Sequence, residues 1–118
     1  MNNLIQKQYQ RFLHALRGIK TAVRYDKSFQ SQVIGGIIVL VIYYFIFRPF
    51  TQTEILFLGL AWTLILITEL QNSSFEEALD RMHPEHHESI GRSKDEAAGA
   101  VLVAGFFLVF VMVIVAIM

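Results

Sequence analysis

The sequence predicts an all-α integral membrane protein, with three transmembrane helices and an N-terminal amphipathic helix on the membrane surface. Three observations predict it. Apolar runs at 33–47, 55–70 and 97–118 approach or exceed the ~20 residues that cross a bilayer. Of 118 residues 54% are hydrophobic and only 17% charged, which is more apolar helix than so small a chain could bury in a water-soluble core. The charges are also segregated: six of the ten bases precede the first run, and eight of the ten acids lie between Glu69 and Glu96. The expected elements form one domain over 1–118. They are an amphipathic helix at about 4–25 and spans at about 30–48, 54–81 with a cytosolic extension, and 94–118.

In the first element Ile5, Tyr9, Phe12, Leu13, Leu16, Ile19 and Val23 recur at three- and four-residue spacing, with bases on much of the remaining surface. Anchorage to anionic lipid is the simpler role for such a helix, and walling a site the sharper one. A turn at 25–28 leads into the first span, with Asp26 or Ser28 able to cap it. That span lies too far from the N-terminus for a cleavable signal peptide, and no small-residue cleavage site follows it before Arg48. Gly35 and Gly36 permit close helix approach, while Tyr43 and Tyr44 suit the membrane interface.

Pro49 ends the first span and Thr53 can cap the second, which makes the two an antiparallel hairpin. The second helix continues beyond its apolar part to about Arg81 before Met82-His83-Pro84 breaks it. Ser93, with Glu96 three residues later, has capping-box spacing for the third span. Lys7, Arg11, Arg17, Lys20, Arg24 and Lys27 precede the first span, and Arg81, Arg92 and Lys94 separate the second from the third. The intervening short loop carries only Arg48. Both long polar regions are therefore expected to face the cytoplasm.

With no cysteine, a disulfide scaffold, a zinc ribbon and a thiol nucleophile are all excluded. His83, His86 and His87 lack metal-motif spacing and read as surface histidines or a polar wall. Neither a Walker phosphate loop nor a kinase glycine-rich loop occurs. The chemistry concentrates instead in 69–80. As a helix, this segment places Glu69, Asn72, Ser73, Glu76 and Asp80 within an arc of roughly 100°. An ionisable group at membrane depth is costly and so marks function. Carboxylates with an amide and a hydroxyl between them suit Mg²⁺. Glu69, at the hydrocarbon boundary, could take a proton from a lipid hydroxyl. Lys94, expected in a first helical turn where a cation opposes the dipole, suggests a bound anion, the alternative being a snorkelling lysine paired with Asp95 or Glu96.

The run 69–80, followed by Glu85-His-His-Glu88 and Ser93-Lys-Asp95 before a small-residue helix start, resembles the prokaryotic diacylglycerol kinase family, which includes undecaprenol kinases. The amphipathic start, Arg17-Gly-Ile-Lys20 and Phe29 extend the resemblance over most of the chain. It implies a homotrimer in the bacterial cytoplasmic (inner) membrane, with active sites between subunits and facing the cytoplasm. It implies that Glu69 is the general base and that Glu76 holds metal together with Asp26, which stands where the family usually has glutamate. It further implies that Glu85, His87, Lys94 and Asp95 bind ATP, with Lys94 on the phosphates; Asn72, Ser73 and Asp80 remain, from their spacing alone, supporting members of the polar stripe. Gln32 stands where some diacylglycerol kinases carry an acid.

The expected activity is ATP- and Mg²⁺-dependent phosphorylation of a membrane lipid hydroxyl. Diacylglycerol, giving phosphatidic acid, is the first choice and undecaprenol the alternative. Expected partners are the lipid, ATP and further copies of the chain, with no nucleic acid. A small cation channel lined by Glu69 and a non-catalytic assembly subunit are the rivals from other classes.

Overall fold

The computed structural model describes residues 2–82, 85 and 87–118. They form four helices: α1 (Asn2–Tyr25), α2 (Lys27–Phe47), α3 (Gln52–Met82) and α4 (Glu88–Ile117). The last three are long and apolar enough to cross a membrane.

Each break in the helical path has a local cause. Between α1 and α2, Asp26 takes an extended backbone and its carboxylate accepts from the Phe29 N–H at 3.1 Å. Of the two caps open from the sequence, Asp26 is the one used, since its side chain satisfies a donor the first helical turn leaves without a partner. The Gln30 amide donates to the Val23 carbonyl at 2.8 Å and ties the corner. After α2, Pro49 has no N–H with which to continue the helix.

At the start of α3 the expected cap is displaced from Thr53 to Thr51. The Thr51 hydroxyl accepts from the Glu54 N–H at 3.1 Å, and the Glu54 carboxylate accepts from the Thr51 N–H at 3.0 Å. That reciprocal pair satisfies two donors where Thr53 would satisfy one. From there α3 runs without interruption to Met82, so the apolar part and the polar stripe are one rod of about 46 Å.

The largest correction concerns α4, which begins at Glu88 rather than near 94. His87, not Ser93, caps it, with Nδ1 accepting from the Ser89 N–H at 3.2 Å. Glu88 then sits in the first turn, where a carboxylate suits the positive end of the dipole, and Arg92 lies 3.6 Å from it one turn on. Nothing in 88–93 forbids helix, for Gly91 merely weakens it. Lys94 therefore stands in the second turn, and the dipole no longer argues for an anion beside it.

α3 and α4 pack along each other, while α2 meets α3 and α1 meets α2 over shorter stretches. Tyr43, Leu58, Ala61 and Val111 form the core, with Leu40, Phe107 and Met112 packed around it. Tyr43 is buried and donates its hydroxyl proton to the Met112 carbonyl at 2.6 Å. It thus serves as a helix-to-helix contact and not as the interfacial ring expected from its position. Gly36 lets the Trp62 indole lie on α2, because a Cβ there would meet Nε1 and stand 2.8 Å from Cε2, whereas one at Gly35 would meet nothing.

The outward surfaces are apolar. Ile38, Phe106 and Phe110 are exposed, an arrangement suited to lipid or another subunit rather than water. On α1, Leu4, Ile5, Tyr9, Phe12, Leu16, Ile19 and Val23 are exposed as well.

Candidate active site

The continuity of α3 carries the polar stripe away from the apolar region in graded burial. Glu69 is 5% exposed and Asn72 9%; Ser73 is half-buried, and Glu76 and Asp80 are exposed. The outer part of the stripe faces a cleft of about 930 Å³ between α1 and α3. Ser73, Glu76, Glu77 and Asp80 line one wall, Arg17, Gly18 and Thr21 the other, and Asp26 stands at the α1–α2 corner.

Glu69 lies behind this wall, close enough that the charges of Asp26 and Glu76 act on it. Asp26 has one oxygen engaged by the Phe29 N–H, which leaves the other for a ligand. No three His, Cys, Asp or Glu side chains among the described residues are gathered to hold a metal by themselves. Two carboxylates on one cleft nevertheless fit Mg²⁺, which keeps several waters and completes its shell with phosphate oxygens. Beside them the Asn72 Oδ1 is buried without a hydrogen-bond partner among the described residues, a group that calls for an explanation.

Lys94 reaches from α4 to the Asp80 carboxylate. Its partner within the chain is therefore Asp80, and not Asp95 or Glu96. The hydrogen bond that Lys94 donates to Asp80 raises the lysine pKa above its ordinary value, with the charges of Asp80 and Glu76 adding to it against partial desolvation. Lys94 precedes the apolar run that begins at Ala97 and stays charged there.

The structure thus brings Asp26, Ser73, Glu76 and Asp80 around one cleft, with Glu69 and Asn72 behind it and Lys94 clasped at its edge. Glu85, His87 and Asp95 do not line that cleft: Glu85 and Asp95 are exposed, and the His87 ring is occupied as the α4 cap. His83 and His86 lie outside the described residues. The wall contributed by α1 favours the sharper of its two readings over anchorage alone. Its signal in the sequence is Arg17-Gly18, a base beside a residue whose missing side chain leaves space.

Comparison with known proteins places the chain in a family. The family model described as prokaryotic diacylglycerol kinase matches residues 13–116. A diacylglycerol kinase of Haemophilus influenzae is 30% identical over 91 residues, covering 77% of this chain and 75% of the relative. An undecaprenol kinase of Bacillus subtilis is 31% identical over 101 residues, 86% of this chain and 80% of the relative. A diacylglycerol kinase of Escherichia coli is 46% identical over a shorter stretch of 41 residues, 35% of this chain and 34% of the relative. A match running from the middle of α1 almost to the end of α4 takes in every element that builds the cleft, and the chain belongs to the prokaryotic diacylglycerol kinase family of lipid kinases.

Proposed function

We propose that this chain transfers the γ-phosphoryl group of ATP to the hydroxyl of a membrane lipid, with diacylglycerol as substrate and phosphatidic acid as product. The observation that carries the reading is the cleft in which Asp26, Ser73, Glu76 and Asp80 meet, with Glu69 buried behind them where α3 leaves its apolar part. Undecaprenol is the second reading, favoured by the comparable similarity to a relative of that specificity over 86% of the chain.

In this mechanism the Glu69 carboxylate accepts the proton of the lipid hydroxyl. The lipid oxygen forms a bond to the γ-phosphorus, and the bond to the β–γ bridging oxygen breaks, releasing ADP. Asp26 and Glu76 would hold Mg²⁺, which when bound neutralises phosphate charge. Lys94 supplies a fixed positive charge to the phosphates, while Glu85, His87 and Asp95 contribute to ATP binding as the family resemblance implies. Asn72 and Ser73 offer hydrogen bonds near the acceptor hydroxyl. The protein acts as a homotrimer in the bacterial inner membrane, with its N-terminus and cleft toward the cytoplasm and α1 lying on the surface.

Incubating the purified protein with labelled ATP, Mg²⁺ and either diacylglycerol, undecaprenol or a long-chain alkanol tests this directly. Labelled phosphatidic acid is expected. Preferential labelling of undecaprenol would establish the second reading, and no labelled lipid in any arm would overturn both.

A further inference from the structure

We infer that Asp80 is a positioning residue for nucleotide binding: its carboxylate, clasping the Lys94 ammonium across the α3–α4 gap, is what brings that cation to the edge of the acidic cleft. The inference rests on the lipid-kinase reading above for the role of Lys94, and the contact itself stands in the structure.

Asp80 lines the cleft while Lys94 does not. The lysine originates on a different helix, and its side chain is 34% exposed against 65% for Asp80. A lysine stem is flexible, carries about 2 kcal/mol of rotamer entropy, and near a membrane turns readily to headgroup or water. One oriented carboxylate removes that freedom before the ligand arrives. Glu76 lies one turn before Asp80 on the same helix, so the clasped ammonium sits at the outer end of the acidic stripe.

The pair differs from an ion pair within one helix in that it joins α3 to α4. The two residues flank the connection that contains Glu85 and His87, so their contact fixes where α4 begins relative to the end of α3. Exposed ion pairs elsewhere, such as Glu88–Arg92 within one helix turn, contribute little and aim at nothing. When a nucleotide binds, its phosphates share the ammonium, which has three donors, and Asp80 keeps one of them.

The test measures binding of a fluorescent non-hydrolysable ATP analogue with Mg²⁺ to the full chain in mixed micelles, alongside steady-state kinetics and thermal unfolding of the same samples. Asp80→Asn should weaken analogue binding and raise KM for ATP by about tenfold, the effect of one charge-assisted contact, with KM for lipid unchanged. Asp80→Glu should recover most of the loss. The exchanged pair Asp80→Lys with Lys94→Asp should unfold near the wild-type temperature yet stay weak in binding, since the cation then sits on the wrong helix. Wild-type affinity in Asp80→Asn would overturn the inference. So would binding restored by the exchanged pair, because the clasp would then be a helix tie only. The binding arm needs no lipid. Loss of affinity in Asp80→Asn without lipid phosphorylation by the wild type would therefore sink the substrate reading and leave this one standing, and unaltered affinity with normal turnover would do the reverse.

Discussion

Glu69 combines two properties seldom found together: it is ionisable and only 5% exposed, on the same helix face as Glu76. A group held this way is suited to accept a proton from a hydroxyl brought against it. Glu69→Gln retains shape and hydrogen bonding but removes the base. Turnover should fall by about 10²-fold or more while nucleotide binding persists. Turnover within a few-fold of wild type would show that another group takes the proton. Asp26 illustrates how one residue can serve two roles, since the oxygen that caps α2 leaves its partner oxygen for the cleft.

At the scale of elements, the position of α2 against α3 depends on a single missing side chain. Gly36 faces Trp62, whose Nε1 is buried without an acceptor among the described residues, and Gly35 next to it has none of them against its missing Cβ. Alanine at either position gains up to ~1 kcal/mol of intrinsic helix preference. At Gly36 the methyl group also displaces the indole, an overpacking penalty of about 1–3 kcal/mol. Gly36→Ala should accordingly lower the unfolding temperature in detergent micelles, and Gly35→Ala should leave it unchanged or raise it. Equal effects of the two would mean that Trp62 swings away freely and that the close approach of α2 is incidental. The α4 start is a second lesson at this scale, because His87 rather than Ser93 sets it and thereby moves Lys94 from the first turn to the second.

For the whole molecule, the rise of α3 decides which residues of one chain can meet. Asp80 stands about 16 Å beyond Glu69 along the helix, so the Lys94 clasped to it is not beside its own Glu69. The proposed mechanism has both acting on one phosphoryl group, which calls for residues from two chains. The buried Asn72 Oδ1 without a partner and the broad apolar exposure of α2 and α4 fit an assembly in which neighbours supply what one chain lacks. Mixed oligomers of inactive Glu69→Gln and inactive Lys94→Ala chains should therefore recover part of the wild-type activity, because some interfaces combine two intact halves. If thoroughly mixed oligomers stay inactive although each variant binds its expected ligand, both residues act from one chain.

What the sequence determined by itself was whatever periodicity and composition encode. The three apolar helices, the break at Asp26, the long extension of α3 and the ordering of Glu69, Asn72, Ser73, Glu76 and Asp80 on one face all follow from residue spacing along a single helix or turn. The prokaryotic diacylglycerol kinase resemblance was legible for the same reason, since its motifs are local. The helix starts were less so. Thr51 and His87 compete with Thr53 and Ser93 as caps, and the choice turns on which side chain satisfies more end groups in place. Beyond the reach of the sequence were the relations between helices: Tyr43 bonded to the Met112 carbonyl, Trp62 seated on Gly36, α1 forming the second wall of the cleft, and Lys94 drawn to Asp80. Spacing along a chain specifies which face of a helix a residue occupies, but only packing decides which other face it meets.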